Sequence, residues 1–521
     1  MRSYPSYLIC ALLAVAWPMG LLAEDRWPSH RGPNGNYQLS SAESYPIRWS
    51  VITDDNILWR KPLPETGHSG IAAWDDRLFL TCFRKLTPKD DRQGKNDREE
   101  TWASETRGYC LSSETGEILW SCDLPGKRPN QVNGVFTDST TPTPITDGKH
   151  VWFVNAGGYM ACYTVEGSLV WGKSFEVRTK HSAKQFQPFL HDGHLYYAML
   201  REPDDPQRRQ QTAKNWDKNS KKGWPWLFVR KFDALTGEPT GLLPGGISCH
   251  SRGATGHVED QTVLLYGRGG SHFPPELPAG LELSTLDAPP TIRWTRPKVS
   301  LEGTDYIDHQ FAYSFSKDAI HVLDLATGET RQTIKLPESA PATLFDEARG
   351  TYHSATVSPR QWRHWQTHHT HIGVGRYLFF MTGSPGLLGR CDLENATFSF
   401  LQVPLQQVAD GQQTKSSWST FQAGDETGSG FQVKGDTRRL GHGFGHVTAA
   451  TPIVVNQRIY FTTMLGTIYV IDATAESFDE GALLAVNDLG APGLTWTLSP
   501  ITPAGGRLYQ RTSREIICMG H

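Results

Sequence analysis

The run DAIHVLDLATGETRQTIK, residues 318–335, decides the fold. Its first part, IHVLDL, alternates between two faces as a strand does. Asp324, Thr327, Gly328 and Glu329 then make a tight polar turn. An Asp carboxylate can hold nearby backbone N–H groups there, and Gly accepts positive φ without steric cost. A second strand follows. The same grammar recurs as YCLSSETGEILW (109–120), ACYTVEGSLVW (161–171), VRKFDALTGEPTG (229–241) and LSTLDAPPTIRW (283–294). GRCDLENATFSF (389–400) and IYVIDATAESFDEG (468–481) are weaker copies. Upstream of most copies lies a strand–turn–strand, as in PITDGKHVWFVN (144–155) and PIVVNQRIYFTT (452–463). Each full unit is therefore four short strands. Four-stranded sheets repeated along a chain predict an all-β propeller, whose blades bury their faces against one another.

The D-x-x-T-G-x-x-x-W turn resembles the pyrroloquinoline-quinone (PQQ) repeat of the quinoprotein-like β-propellers, a family of exported bacterial proteins that includes BamB. The resemblance covers roughly residues 54–521. It implies that Trp59, Trp120, Trp171 and Trp294 pack between blades, with Asp324 and Gly328 at the repeat's turn positions. WPSHRGPNG (27–35) also resembles the opening of secreted propellers of this group.

Seven blades begin near Ile71, Thr143, Gln187, Val258, Phe311, His371 and Thr451. An eighth sheet from Leu498 has three strands before the chain ends. NILWRKPL (56–63) can supply the fourth, which closes the ring and leaves no sheet incomplete. The expectation is eight blades, with seven as the alternative.

The 521 residues include 50 Gly, 17 Trp and only 38% hydrophobic residues, which suits many short strands and turns. Lys and Arg (51) nearly balance Asp and Glu (54), so no global basic field points to nucleic acid. No apolar run after the N-terminus is long enough for a membrane span. Residues 1–23 read as an export signal cleaved near Ala23, which predicts a soluble periplasmic or extracellular protein. Residues 24–53 form an extension before the propeller of residues 54–521. The other cysteines after Cys10 fall mostly among apolar strand residues and read as buried small hydrophobes. Cys110 and Cys122 flank a hairpin and could pair.

Insertions near 84–107, 202–226, 338–367 and 409–440 exceed a minimal blade. The first is densely charged and reads as a solvated loop. The second mixes basic residues with Trp216, Trp224 and Trp226 and reads as a hairpin extension packing those rings on the rim. The third holds a short helix around 359–365, and the fourth is a long excursion rich in Gly, Ser and Gln. Long loops on a rigid scaffold are where function usually sits.

Histidine is the informative residue type. His68, His181, His257, His309, His369, His371 and His446 lie just before, or in, a blade's first strand. In a propeller these positions converge on the central channel. His369 and His371 share one strand face, and His442 and His446 sit among glycines. His309, His369, His371, His442 and His446, with Asp305 and Asp308 nearby, are candidate ligands for a transition metal. The plainer reading is channel-lining residues bonded to loops and water. The family's quinone enzymes carry an adjacent cysteine pair, and this chain has none, which argues against PQQ. RGATG (252–256) reads as a turn rather than a phosphate loop. The leading functional expectation is a binding scaffold, acting as a monomer, for a protein, peptide or glycan on the face where the channel opens. The alternative is a His-metal or quinoprotein-type oxidoreductase at the channel mouth.

Overall fold

A computed structural model of the chain describes residues 25–93, 99–132, 138–177, 186–200, 227–247, 251–268, 280–287, 289–297, 306–308, 310–316, 318–362, 371–383, 386–418, 430 and 450–521. Eight antiparallel sheets form an eight-bladed β-propeller. From hub to rim, blade 1 runs Ala72–Trp74, Arg77–Phe83, Thr106–Ser112 and Ile118–Leu124. Blade 2 runs Ile145–Thr146, His150–Asn155, Tyr159–Thr164 and Leu169–Ser174. Blade 3 is Phe189–His191, His194–Leu200, Leu227–Asp233 and Pro239–Leu242. Blade 4 is Ala254–Val258, Gln261–Arg268, Gly280–Thr285 and Ile292–Pro297. Blade 5 follows as Tyr306–Asp308, Phe311–Phe315, Ala319–Asp324 and Thr330–Lys335. Blade 6 has His371–Val374, Tyr377–Met381, Leu387–Asp392 and Thr397–Gln402. Blade 7 has Ile453–Val455, Arg458–Thr462, Thr467–Asp472 and Leu483–Asp488.

Blade 8 joins the two ends of the chain. Thr502–Ala504, Arg507–Arg511 and Glu515–Met519 are completed by Ile57–Pro62. Trp59 lies opposite Cys518, and Lys61 opposite Ile516. This is the predicted closure, and it satisfies an edge that would otherwise stay open.

The turn that ends each third strand is built as its sequence dictates. Asp324 accepts from the Thr327 backbone N–H (2.9 Å) and hydroxyl (3.1 Å). Gly328 closes the turn at φ +71°. The Trp of one blade then lies over the turn glycine of the next. Trp59 covers Gly116, Trp120 covers Gly167, Trp171 covers Gly237 and Trp294 covers Gly328. Each indole N–H donates to a carbonyl of the neighbouring turn, at Ser113, Val165, Ala234 and Leu325 respectively (2.8–3.1 Å). These contacts link blades 8–1, 1–2, 2–3 and 4–5.

Five readings of the sequence need correction. The inner strand of blade 4 begins at Ala254, so RGATG is half strand, not only turn. Gly256 there packs closely on blade 5, where a Cβ would stand 3.0 Å from Ile307 Cγ2. Blade 5 likewise begins at Tyr306 rather than near Phe311. Part of the charged segment 84–107 is ordered. Pro88–Asp90 is a 3₁₀ turn, and Glu99–Ala103 pairs with Asn130–Gln131. Leu86 and Ala103 anchor it to Phe83 and Val132 in a small core of their own. In the third insertion a hairpin, Ala340–Asp346 with Thr351–Val357, widens blade 6 to six strands, and the helical turn spans only Pro359–Gln361. Cys110 and Cys122 are both free and buried, because they stand opposite Trp120 and Gly108 rather than each other.

Candidate functional site

Strand order gives the propeller two unlike faces. One carries the connections from first to second and from third to fourth strands; the first-to-second ones are tight turns such as 75–76, 192–193 and 456–457, and the longest of the others is 473–482 in blade 7. The other carries the connections from second to third strands and from blade to blade. Here the chain leaves at Phe83 and returns at Thr106, leaves at Leu200 and returns at Leu227, and leaves at Gln402 and returns at Ile453. All four long insertions emerge on this loop face.

Residues 27–39 occupy the hub. Trp27 bridges Ala73 of blade 1. The Pro28 carbonyl accepts from Thr146 N–H of blade 2 (3.0 Å). Gln38 donates to the Gly373 carbonyl of blade 6 (2.9 Å). Gln38–Leu39 runs parallel to Val454 and Val455 on the inner edge of blade 7. Trp27 is fully buried, and its ring packs on Gly32 at φ +72°, where a Cβ would stand 2.7 Å away. The segment then leaves along blade 7. There the Asp488 carboxylate accepts from the Ser50 hydroxyl (2.5 Å) and the Val51 and Ile52 amides (3.0 Å each).

Above this stopper the blades present polar residues two positions ahead of their inner strands. Gly70 N–H donates to Thr143 Oγ1 (3.0 Å), and Thr143 N–H to Gln187 Oε1 (2.9 Å), which joins blades 1, 2 and 3. Arg252 of blade 4 donates from Nη1 to Thr451 Oγ1 of blade 7 (2.6 Å). Those blades are not neighbours, so the side chain spans the hub. Arg31 donates from Nη2 to the Arg252 and Gly253 carbonyls (2.6 and 2.5 Å). His30 Nδ1 lies 3.1 Å from Thr143 Oγ1. Burial, with Arg252 and Arg31 close by, holds His30 well below its ordinary pKa. Burial likewise lowers Arg252 to about 10.

A second buried cluster welds blades 8, 1 and 2. His68 Nδ1 lies 3.7 Å from Asp138 Oδ2. Asp138 Oδ1 accepts from Thr140 N–H (2.8 Å) and hydroxyl (2.6 Å). Arg511 donates to Ser69 Oγ (3.0 Å) and the Thr81 carbonyl (2.7 Å). Burial pushes the adjacent Cys82 thiol up, against the pull of Arg511, so it is no thiolate nucleophile.

Of the histidines singled out in the sequence, His371 stands at the head of blade 6's inner strand. Its ring stacks on Phe315, with centroids 3.6 Å apart. His257 is exposed in blade 4's inner strand. His181, His309, His369, His442, His446 and Asp305 lie outside the described residues. Among the described residues no three His, Cys, Asp or Glu side chains are grouped as metal ligands would be. The sequence reading missed His30, Arg31 and Arg252. The first two sat in an opening taken as a flank, and the third in a stretch taken as a turn. No local pattern marked them: the Arg-Gly steps at 31–32 and 252–253 are two of five in the chain.

On the turn face a cleft of about 590 Å³ lies between the stopper and blades 1 to 4, bordered by Arg31, Trp74, Phe189, His191 and His257. His191 there pairs with Asp287 at 3.2 Å.

No protein-family model and no curated protein matches the chain. Solved structures do. The quinohemoprotein alcohol dehydrogenase of Comamonas testosteroni is similar over 95% of this chain and 81% of its own, with 10% identity and a TM-score of 0.50. A europium-containing methanol dehydrogenase matches over 93% of this chain and 89% of its own, with 10% identity and a TM-score of 0.49. BamB of Moraxella catarrhalis matches over 73% of this chain and 95% of its own, with 12% identity and a TM-score of 0.32. For the Comamonas enzyme the likeness is one of fold alone.

Proposed function

We propose that this chain is an exported, monomeric scaffold that binds a protein, peptide or glycan on its loop face. The observation that carries the reading is the segregation of all four long insertions to that face, while on the turn face the longest connection is 473–482 and the hub is stoppered by residues 27–39. Rigid sheets that project long loops from one side favour recognition by those loops. The basic and tryptophan-bearing segment 202–226 is the part expected to read the ligand, through stacking and charge. The rival reading is an oxidoreductase using a metal on His309, His369, His371, His442 and His446, or a quinone.

Replacing residues 202–226 by a short Gly-Ser turn tests the scaffold reading. Glycan and peptide arrays probed with the purified protein are expected to show a defined ligand set whose affinity falls at least tenfold in the variant. Lys149→Gln, in the turn between the first two strands of blade 2 on the turn face, is expected to leave it unchanged. Stoichiometric metal in the isolated protein, lost in His369→Ala or His446→Ala, would instead establish the rival.

A further inference from the structure

We infer that the hub holds a small oxyanion between Arg31, Arg252 and His30. These three side chains meet where the stopper crosses the head of blade 4. They are 3%, 7% and 4% exposed. Each leaves a buried nitrogen with no hydrogen-bond partner: Nε of Arg31, Nε of Arg252 and Nε2 of His30. The bonds they do make leave the Nε–Nη2 edge of Arg252 unused, whereas Arg31 and His30 each keep a single ring or guanidinium nitrogen unpartnered. Arg31 spends Nη2 on two carbonyls, Arg252 spends Nη1 on Thr451, and His30 spends Nδ1 on Thr143. Among the described residues no carboxylate answers either charge, and the groups that bear on Arg252 are Tyr37 and Arg31.

A guanidinium taken out of water without an anion is costly, and two side by side are costlier. Among the described residues Arg511, the other arginine buried this deeply with an unpartnered Nε, stands alone and places Nη1 on Ser69 and Thr81 and Nη2 near Cys82 Sγ; the hub differs in gathering two guanidinium groups and an imidazole, each with such a nitrogen. What fits the orphaned edges is a group with at least two acceptor oxygens in fork geometry, which means a carboxylate or phosphate. A bound oxyanion would tie the stopper to blades 2, 4 and 7 at once, because Thr143 and Thr451 hold the same side chains from the other side. This inference is independent of what docks on the loop face, and its test needs no partner.

The mature protein is dialysed into chloride buffer, and thermal unfolding is followed on adding inorganic phosphate or citrate at constant ionic strength. The expected result is a saturable rise in Tm of about 2–3 °C at a hundredfold excess over Kd with at least one of the two. The ion that acts tells phosphate chemistry from carboxylate chemistry. Arg252→Gln and Arg31→Gln are expected to abolish the rise, while Arg349→Gln on the surface keeps it. If both hub variants fail to fold, Arg252→Lys, which keeps the charge but loses the fork, is expected to weaken the response about tenfold. Wild-type protein that gains no more from either oxyanion than from chloride would overturn the inference. So would hub variants that respond as wild type does.

Discussion

At Gly328 one hydrogen atom in place of a methyl decides whether two blades meet. The turn needs φ +71°, and a Cβ there would stand 2.6 Å from Trp294 Cδ2. Backbone strain and overpacking therefore coincide. Gly328→Ala is expected to destabilise the protein by about 1–3 kcal/mol, read as a lower midpoint in urea with an unchanged slope. The same substitution at Gly350, where nothing lies within 4 Å, meets only the φ penalty and is expected to cost less. Comparable destabilisation at both sites would show that the Trp contact contributes nothing. Asp324 is legible for the same reason. Its oxygens serve Thr327 locally, and Arg331 beside it with the Thr327 amide holds its carboxyl below the ordinary range. Such side-chain-to-backbone bonds are short-range, so a sequence window contains every participant.

Among the elements, the closing strand carries the sharpest register claim. Ile57–Pro62 pairs with Glu515–Met519 across nearly the whole length of the chain. Trp59 and Cys518 are register partners, whereas Arg60 stands opposite Ile517. Trp59→Cys is expected to cross-link to Cys518 under mild oxidation, detected as a disulfide-linked peptide by mass spectrometry. Arg60→Cys, on the opposite face of the strand, is expected not to do so. A cross-link from Arg60→Cys instead would mean a one-residue slip and a differently closed ring. Strands with a strong alternating pattern and a turn signal were read nearly in place. The inner strands of blades 4 and 5 were not. Facing the hub, they are short and carry Gly or polar residues where an alternating pattern would put apolar ones. The ordered part of 84–107 was missed too, since Leu86 and Ala103 are too sparse to register against so many charges.

Over the whole molecule, the stopper joins blades that no local contact could join, and His30 lies inside it. Burial and the nearby Arg31 and Arg252 cations keep its imidazole neutral, so its folded pKa falls well below the ordinary value near 6.5. Tyr37 meets its ring edge-on, and Thr143 meets its Nδ1. The unfolded chain thus takes up a proton first. The stability tied to neutral His30 is complete above pH 6.5 and is lost as the pH falls below it. Between pH 7.5 and 5.5, in chloride free of oxyanions, wild type is expected to lose about 1.4 kcal/mol more than His30→Gln does. Equal acid sensitivity in the two would place the imidazole in contact with solvent.

The repeated strand–turn–strand grammar and the identity of the closing strand were determined by the sequence itself, which left the blade count between eight and seven until the sheets gave eight. Each depends on the spacing of residues close together along the chain, or on one missing strand with one available match. Only the tertiary structure decided what fills the centre. Residues 27–39 touch blades 1, 2, 6 and 7 in the hub, and Arg31 meets Arg252 across most of half the chain. No periodicity marks such a meeting. Ring closure creates the axis on which those side chains converge, and a linear reading contains no axis.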